Sequence, residues 1–247
     1  MNRLYQKSEL NFSLMWIAAY VGSAMAADAL SALMGIRKVI TAPVLLLFAL
    51  LLLGTIRRNN LSEKYGLCAF RGNRKDYLYF IPLAVLASAN VWNGVKMNGT
   101  AAEMALYVLS MLCVGLIEEV LFRGFLFKAM CTDGVKRATL ISSVTFGMGH
   151  IVNLLSGREL LSTLLQIGYA TVIGFLFTVI FLRGKSLWPC IVTHGALNAL
   201  SALSVPAAPA LRAVSAIGMG VLCLGYALWV LRKTRAYAGA EKAGEAG

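Results

Sequence analysis

Charge is scarce in this chain of 247 residues: 14% of positions are Asp, Glu, Lys or Arg, and only 11 are acidic. A water-soluble domain carries about 25% charged and roughly 45–50% apolar residues. Here 59% are hydrophobic and the mean hydropathy is +0.73. Such a chain has too little polar surface to cover a soluble core. No hydrated stretch between its apolar blocks is long enough to fold as a separate soluble domain. Strand-length alternation of apolar and polar residues is also missing, which leaves helices as the way to satisfy the backbone in lipid. The five cysteines, Cys68, Cys113, Cys131, Cys190 and Cys223, form no CxxC pair and no metal-type spacing. They read as small buried hydrophobes.

What is present is a series of apolar blocks of roughly 17–25 residues, each able to cross about 30 Å of hydrocarbon. The expected spans are Phe12–Met34, Val39–Ile56, Tyr77–Trp92, Glu103–Phe127, Ala138–Leu154, Leu160–Leu182, Leu187–Leu203 and Ala210–Leu231. The fold class is therefore an all-α polytopic membrane protein of about eight transmembrane helices around a polar intramembrane cavity. Residues 1–233 form a single transmembrane domain, with the chemistry concentrated in 103–204, and 234–247 read as a disordered cytoplasmic tail. The third span is short, and Pro82 with Ser88, Asn90 and Asn93 predicts a kinked or incomplete crossing.

The net charge of +12 sits beside the spans rather than on a separate basic face, so it addresses lipid headgroups and no nucleic acid. With eight spans, seventeen Lys and Arg residues fall on the side holding both termini, against Arg37, Lys38, Lys96, Arg158 and Arg212 on the other. That bias makes both termini cytoplasmic, in a membrane expected to be a bacterial plasma membrane. Ala24-Met25-Ala26 imitates a signal-peptidase site, but the apolar stretch runs on to Met34, which favours a retained first helix.

Polar residues inside the spans are costly and mark sites, at about 2.5–3.5 kcal/mol for an ionisable group at mid-bilayer. Asp28 stands alone and reads as a carboxyl bonded to a neighbouring helix. The fourth span holds Glu118, Glu119 and Arg123. Glu119 and Arg123, four apart, share a face and can pair; Glu118 is turned about 100° away toward another helix. Arg123, nearer the cytoplasmic end, is also able to snorkel. Both histidines of the chain lie in spans. His150 ends Phe146-Gly147-Met148-Gly149-His150, and His194 has Asn198 four residues on. Counting about 1.5 Å per residue from the cytoplasmic helix ends puts Glu118, His150 and His194 at depths near 14, 18 and 10 Å, one shared layer. Ser142, Ser143 and Cys190 lie near the same helices but form no nucleophile–base pattern, and read as packing residues.

One carboxylate and two imidazoles in a water-filled pocket fit hydrolysis by an activated water. In one version Glu118, His150 and His194 bind a divalent metal such as zinc, which acidifies the water. In the other Glu118 is the general base with His150, and His194 with Asn198 stabilises the oxyanion. A non-catalytic scaffold or immunity protein, and an ion- or proton-coupled transporter, are the competing classes. The transporter reading lacks the internal repeats that class carries.

Glu118-Glu119-x-x-x-Arg123, Phe146-x-x-x-His150 and His194-x-x-x-Asn198, in this order on three spans, resemble the signature of the CPBP family, the CAAX-protease and bacteriocin-processing (Abi) group of intramembrane endopeptidases. The resemblance implies eight helices with a cavity open to the cytosol, and cleavage near the C-terminus of lipidated or hydrophobic peptides. It implies Glu118 as base or ligand, His150 as its partner, and His194 with Asn198 as oxyanion or metal group. Glu119 and Arg123, with Phe146 of the second motif, become supporting residues.

Overall fold

The computed structural model describes residues 3–155 and 157–244. Among these the chain is helical, with no strand beyond one isolated bridge between Val95 and Ser204. Ten α-helices follow in order: α1 (Arg3–Lys7), α2 (Glu9–Leu33), α3 (Thr41–Arg58), α4 (Ile81–Ser88), α5 (Ala101–Glu119), α6 (Phe127–Met130), α7 (Val135–Met148), α8 (Leu160–Gly184), α9 (Trp188–Leu200) and α10 (Pro209–Gly244). A π-helical segment, Val120–Leu126, joins α5 to α6 without a break.

Five stretches are long and apolar enough to cross a membrane: Glu9–Leu33, Thr41–Arg58, Ala101–Asp133, Leu160–Gly184 and Pro209–Thr234. Each expected span coincides with a helical segment, but α4, α7 and α9 have only 8, 14 and 13 residues of α-helix. The last two are extended by 3₁₀ turns, Gly149–Leu154 and Ser201–Leu203, whose rise of about 2.0 Å per residue adds length with fewer residues. The expected break in the third span is present, for a different reason. Leu78, Tyr79 and Phe80 take left-handed φ values of 49°, 53° and 62°, whereas Pro82 sits in the first turn of α4, where its missing N–H costs nothing. At the other end of the chain α10 continues as helical backbone to Gly244, across the expected disordered tail, whose alanines favour helix.

The surface suits lipid. Leu47, Leu50 and Leu51 on α3, and Val214 and Val221 on α10, are large apolar side chains left more than half exposed. A belt of this kind is a liability in water and a requirement in a bilayer. Two apolar clusters fill the interior. One joins α2, α3, α5 and the π segment, and the other joins α4, α8, α9 and α10.

The loops gather at two ends. At the basic end Lys64 Nζ donates to Tyr5 at 2.8 Å and pairs with Glu9 at 2.5 Å. Burial alone would lower the Lys64 amine, but the hydrogen bonds to Glu9 and Tyr5 outweigh it and raise it above its ordinary value. Leu187 N donates to Gly66 O at 2.8 Å, and Arg71 N to Gly184 O at 3.0 Å, which ties the second and sixth connections together. At the opposite end Arg37 N donates to Glu103, and Asn98 Nδ2 to Ser204 O at 2.9 Å. There a capping box between Thr100 and Glu103 starts α5. Asp28 is also there, accepting from Lys38 at 2.7 Å and from Thr41 at 2.5 Å.

Candidate active site

The site forms where α5 meets α9. They pack tightly against each other at Gly115 and Gly195. A Cβ on Gly115 would lie 2.5 Å from the backbone nitrogen of Gly195 and 2.7 Å from its Cα, so only glycine allows this separation. One turn further along α5 come Glu118 and Glu119, which the close packing sets opposite His194.

Glu119 and Arg123 are fully buried and pair at 3.1 Å, as their spacing predicts. The same Oε1 of Glu119 is 2.8 Å from His194 Nδ1. A carboxylate has no proton to give, so His194 carries one on Nδ1 and donates it. This turns the other ring nitrogen, Nε2, toward Glu118, whose Oε2 is 3.8 Å away. That distance is too long for a hydrogen bond. Among the four side chains Glu118 keeps the most accessible surface, 16%, against 7% for His194 and none for Glu119 or Arg123. It is the member of the cluster open to a small molecule from outside the core.

Arg123 does not snorkel. Its guanidinium lies 4.0 Å from the ring centre of Phe146 and 5.8 Å from that of Phe177, held as a cation over aromatic faces. The π segment sets its direction, since an i→i+5 turn rotates the residues after Glu119 relative to a regular helix. Gly174 on α8 makes room, for a Cβ there would stand 3.0 Å from Nη2. Glu119 Oε2 and Arg123 Nε and Nη2 have no partner among the described residues.

His150 comes from the 3₁₀ turn after α7, which packs on α8 through Gly147. Phe146 connects the two imidazoles: its ring meets His150 edge-on at 5.7 Å and His194 at 5.6 Å. His150 Nδ1 is 3.2 Å from Gln166 Nε2, and Gln166 Oε1 accepts from Asn153 at 2.9 Å. Asn198 lies one turn beyond His194, half-buried, and its amide makes no hydrogen bond within the described chain. Ser142 and Ser143 spend their hydroxyls on the carbonyls of Phe122 and Thr139, and the Cys190 thiol points at that of Phe177.

Glu118, His194 and the Glu119–Arg123 pair thus meet by direct contact, and His150 joins them through Phe146. Two partners carry no signal in the motifs. Tyr20 on α2 donates to Glu118 Oε1 at 2.7 Å. An aromatic residue in an apolar span is unremarkable by composition. Gln166 went unread in the sequence, although a polar side chain inside the apolar α8 is a signal that could have found it. Among the described residues no three His, Cys, Asp or Glu side chains form a group able to hold a metal ion. Both Nδ1 atoms and Glu118 Oε1 are spent on Glu119, Gln166 and Tyr20, which leaves both Nε2 atoms and Glu118 Oε2 as the atoms open to a ligand. Two cavities, of about 340 and 430 Å³, lie elsewhere, between α8 and α10 and beside Asp28 and Glu103. Neither is the expected polar pocket around the histidines.

No curated protein and no solved structure matches the chain significantly. Over residues 100–200, which hold every motif residue described above, the chain matches the family model of the type II CAAX prenyl endopeptidase Rce1-like group, in agreement with the resemblance that its motifs carry.

Proposed function

We propose that this integral membrane protein is an intramembrane endopeptidase that hydrolyses a peptide bond of lipidated or hydrophobic peptides, with its basic end in the cytoplasm. The observation that carries the reading is the relation of Glu118 to His194. The accessible carboxylate faces, at 3.8 Å, an imidazole whose far nitrogen is pinned by a buried second carboxylate. This is the arrangement of a general base beside an oriented ring.

Glu118 Oε2 takes a proton from water as the water oxygen attacks the scissile carbonyl carbon. The new oxyanion is stabilised by His194 through its Nε2 edge and by the side-chain amide of Asn198, which the fold leaves free. His150, set over Phe146 and held by Gln166, steers the water. Collapse breaks the C–N bond, and Glu118 returns its proton to the leaving amine. Glu119 and Arg123 keep His194 in register and touch no substrate. In this reading Glu118 acts on water directly.

The test is turnover of a panel of prenylated and unmodified hydrophobic peptides by purified protein in nanodiscs. Glu118→Ala, His150→Ala and His194→Ala are each expected to lose at least about 10²–10⁴-fold in kcat while remaining folded. Chelator is expected to leave the wild-type rate unchanged. Full turnover by Glu118→Ala overturns the base; loss with chelator and recovery with zinc overturns the metal-free route.

A further inference from the structure

The two oxygens of Glu118 are treated unequally. Oε1 accepts a hydrogen bond of 2.7 Å from Tyr20, whereas Oε2 has no partner in hydrogen-bond range among the described residues and faces His194 Nε2. Tyr20 lies on α2, eighty residues before the matched segment begins, and is only 6% exposed. Its ring is fixed independently of Glu118, by packing against Phe48 of α3 at 5.8 Å. The donor therefore belongs to a packed wall made by the first two long helices, and the carboxylate bonds to it.

A glutamate at the end of an α-helix has three side-chain torsions, and its terminal one is soft. With nothing on Oε1, the carboxylate would be free to swing toward Arg123 or to turn its oxygens over. One oxygen bonded and one free is the state a general base needs, with a fixed direction and an available lone pair. We propose that Tyr20 is a positioning residue for the reaction: its hydroxyl holds Oε1 of Glu118 so that Oε2 is presented toward His194 and the attacking water. The proposal rests on Glu118 acting as the base. It gives the first long helix, which bears none of the motifs, a part in the site.

Tyr20→Phe keeps the ring against Phe48 and removes only the hydroxyl. It is expected to lower kcat about 10–100-fold with KM within about twofold and with thermal stability close to wild type. A purely structural tyrosine would lose stability and leave kcat per folded molecule unchanged. The infrared difference spectrum between wild type and Tyr20→Phe gives a readout independent of turnover. It is expected to contain a carboxylate-stretch change that disappears when both proteins carry Glu118→Gln. A wild-type kcat in Tyr20→Phe, or a rise in KM alone, overturns the proposal, as does a spectrum with no Glu118-dependent band. Full turnover by Glu118→Gln overturns the base itself and the role of Tyr20 with it; the infrared band then identifies the contact as structural only.

Discussion

Glu119 Oε1 serves two partners, Arg123 at 3.1 Å and His194 at 2.8 Å, inside a region where neither Glu119 nor Arg123 exposes any surface. Removing one member of a buried pair leaves the other charged and uncompensated, at about 3–5 kcal/mol. Arg123→Leu is therefore expected to destabilise strongly in reversible unfolding in mixed micelles. Glu119→Leu combined with Arg123→Leu is expected to cost clearly less than the two single changes added. Strict additivity would show that the pair is not coupled. By contrast Lys64→Met, which breaks a partly exposed pair with Glu9, is expected to cost no more than about 1 kcal/mol. Gln166→Leu leaves His150 Nδ1 without its partner and is expected to reduce kcat about tenfold with little change in stability; an unchanged rate would remove Gln166 from the site. At this scale the sequence was informative where the chemistry was conspicuous. Glu118, Glu119, Arg123 and the two histidines stood out because ionisable groups are rare in lipid, and the i, i+4 pairing followed from helix geometry. The Glu119–His194 contact and Tyr20 were not legible, because they depend on how three helices are rotated against one another.

Helix proximity rests on glycine at the α5–α9 crossing. A methyl group on Gly115 would stand 2.5 Å from Gly195 N, a backbone atom that cannot turn aside as a side chain can. Gly115→Ala is expected to force α5 and α9 apart, carrying Glu118 and Glu119 away from His194. Activity is expected to fall at least about 100-fold, in line with the sensitivity of catalysis to displacements near 1 Å. Gly54→Ala on α3, where nothing lies within 4 Å, is the matched control and is expected to be neutral. Equal rates in the two variants would show that the crossing does not set the site. Hydropathy exposed the long elements, since α2, α3, α5, α8 and α10 each contain a run long and apolar enough to cross a membrane. It did not expose the π segment after Glu119 or the left-handed turn at Leu78–Phe80. Both are local backbone departures in stretches whose composition is ordinary for a span, and neither contains a residue that demands the conformation.

Across the whole molecule, side chains and loops divide into two ends, and the division agrees with the distribution of basic residues. The N-terminal segment, the connection around Tyr65–Arg71 and the turn at Gly184–Leu187 bond to one another. The connections holding Arg37, Asn98 and Ser204 meet at the far end. The first group belongs to the side with seventeen Lys and Arg residues and the second to the side with five, so the positive-inside rule predicts a cytoplasmic location for the first. Two labels test this. In a chain otherwise free of cysteine, Met97→Cys lies in the far connection at a position where Met97 is 61% exposed, and is expected to react with a membrane-impermeant maleimide on intact cells. Cys68 alone, partly exposed at the basic end, is expected to react only after permeabilisation. The orientation bears on the chemistry, because Glu118 and Glu119 close α5 at the end of the span that leads to Lys128 and the basic side. Peptide added from outside is then expected to be cleaved by inside-out vesicles and spared by sealed right-side-out ones. Cleavage by right-side-out vesicles together with the reverse labelling pattern would mean that the chain is inserted the other way up.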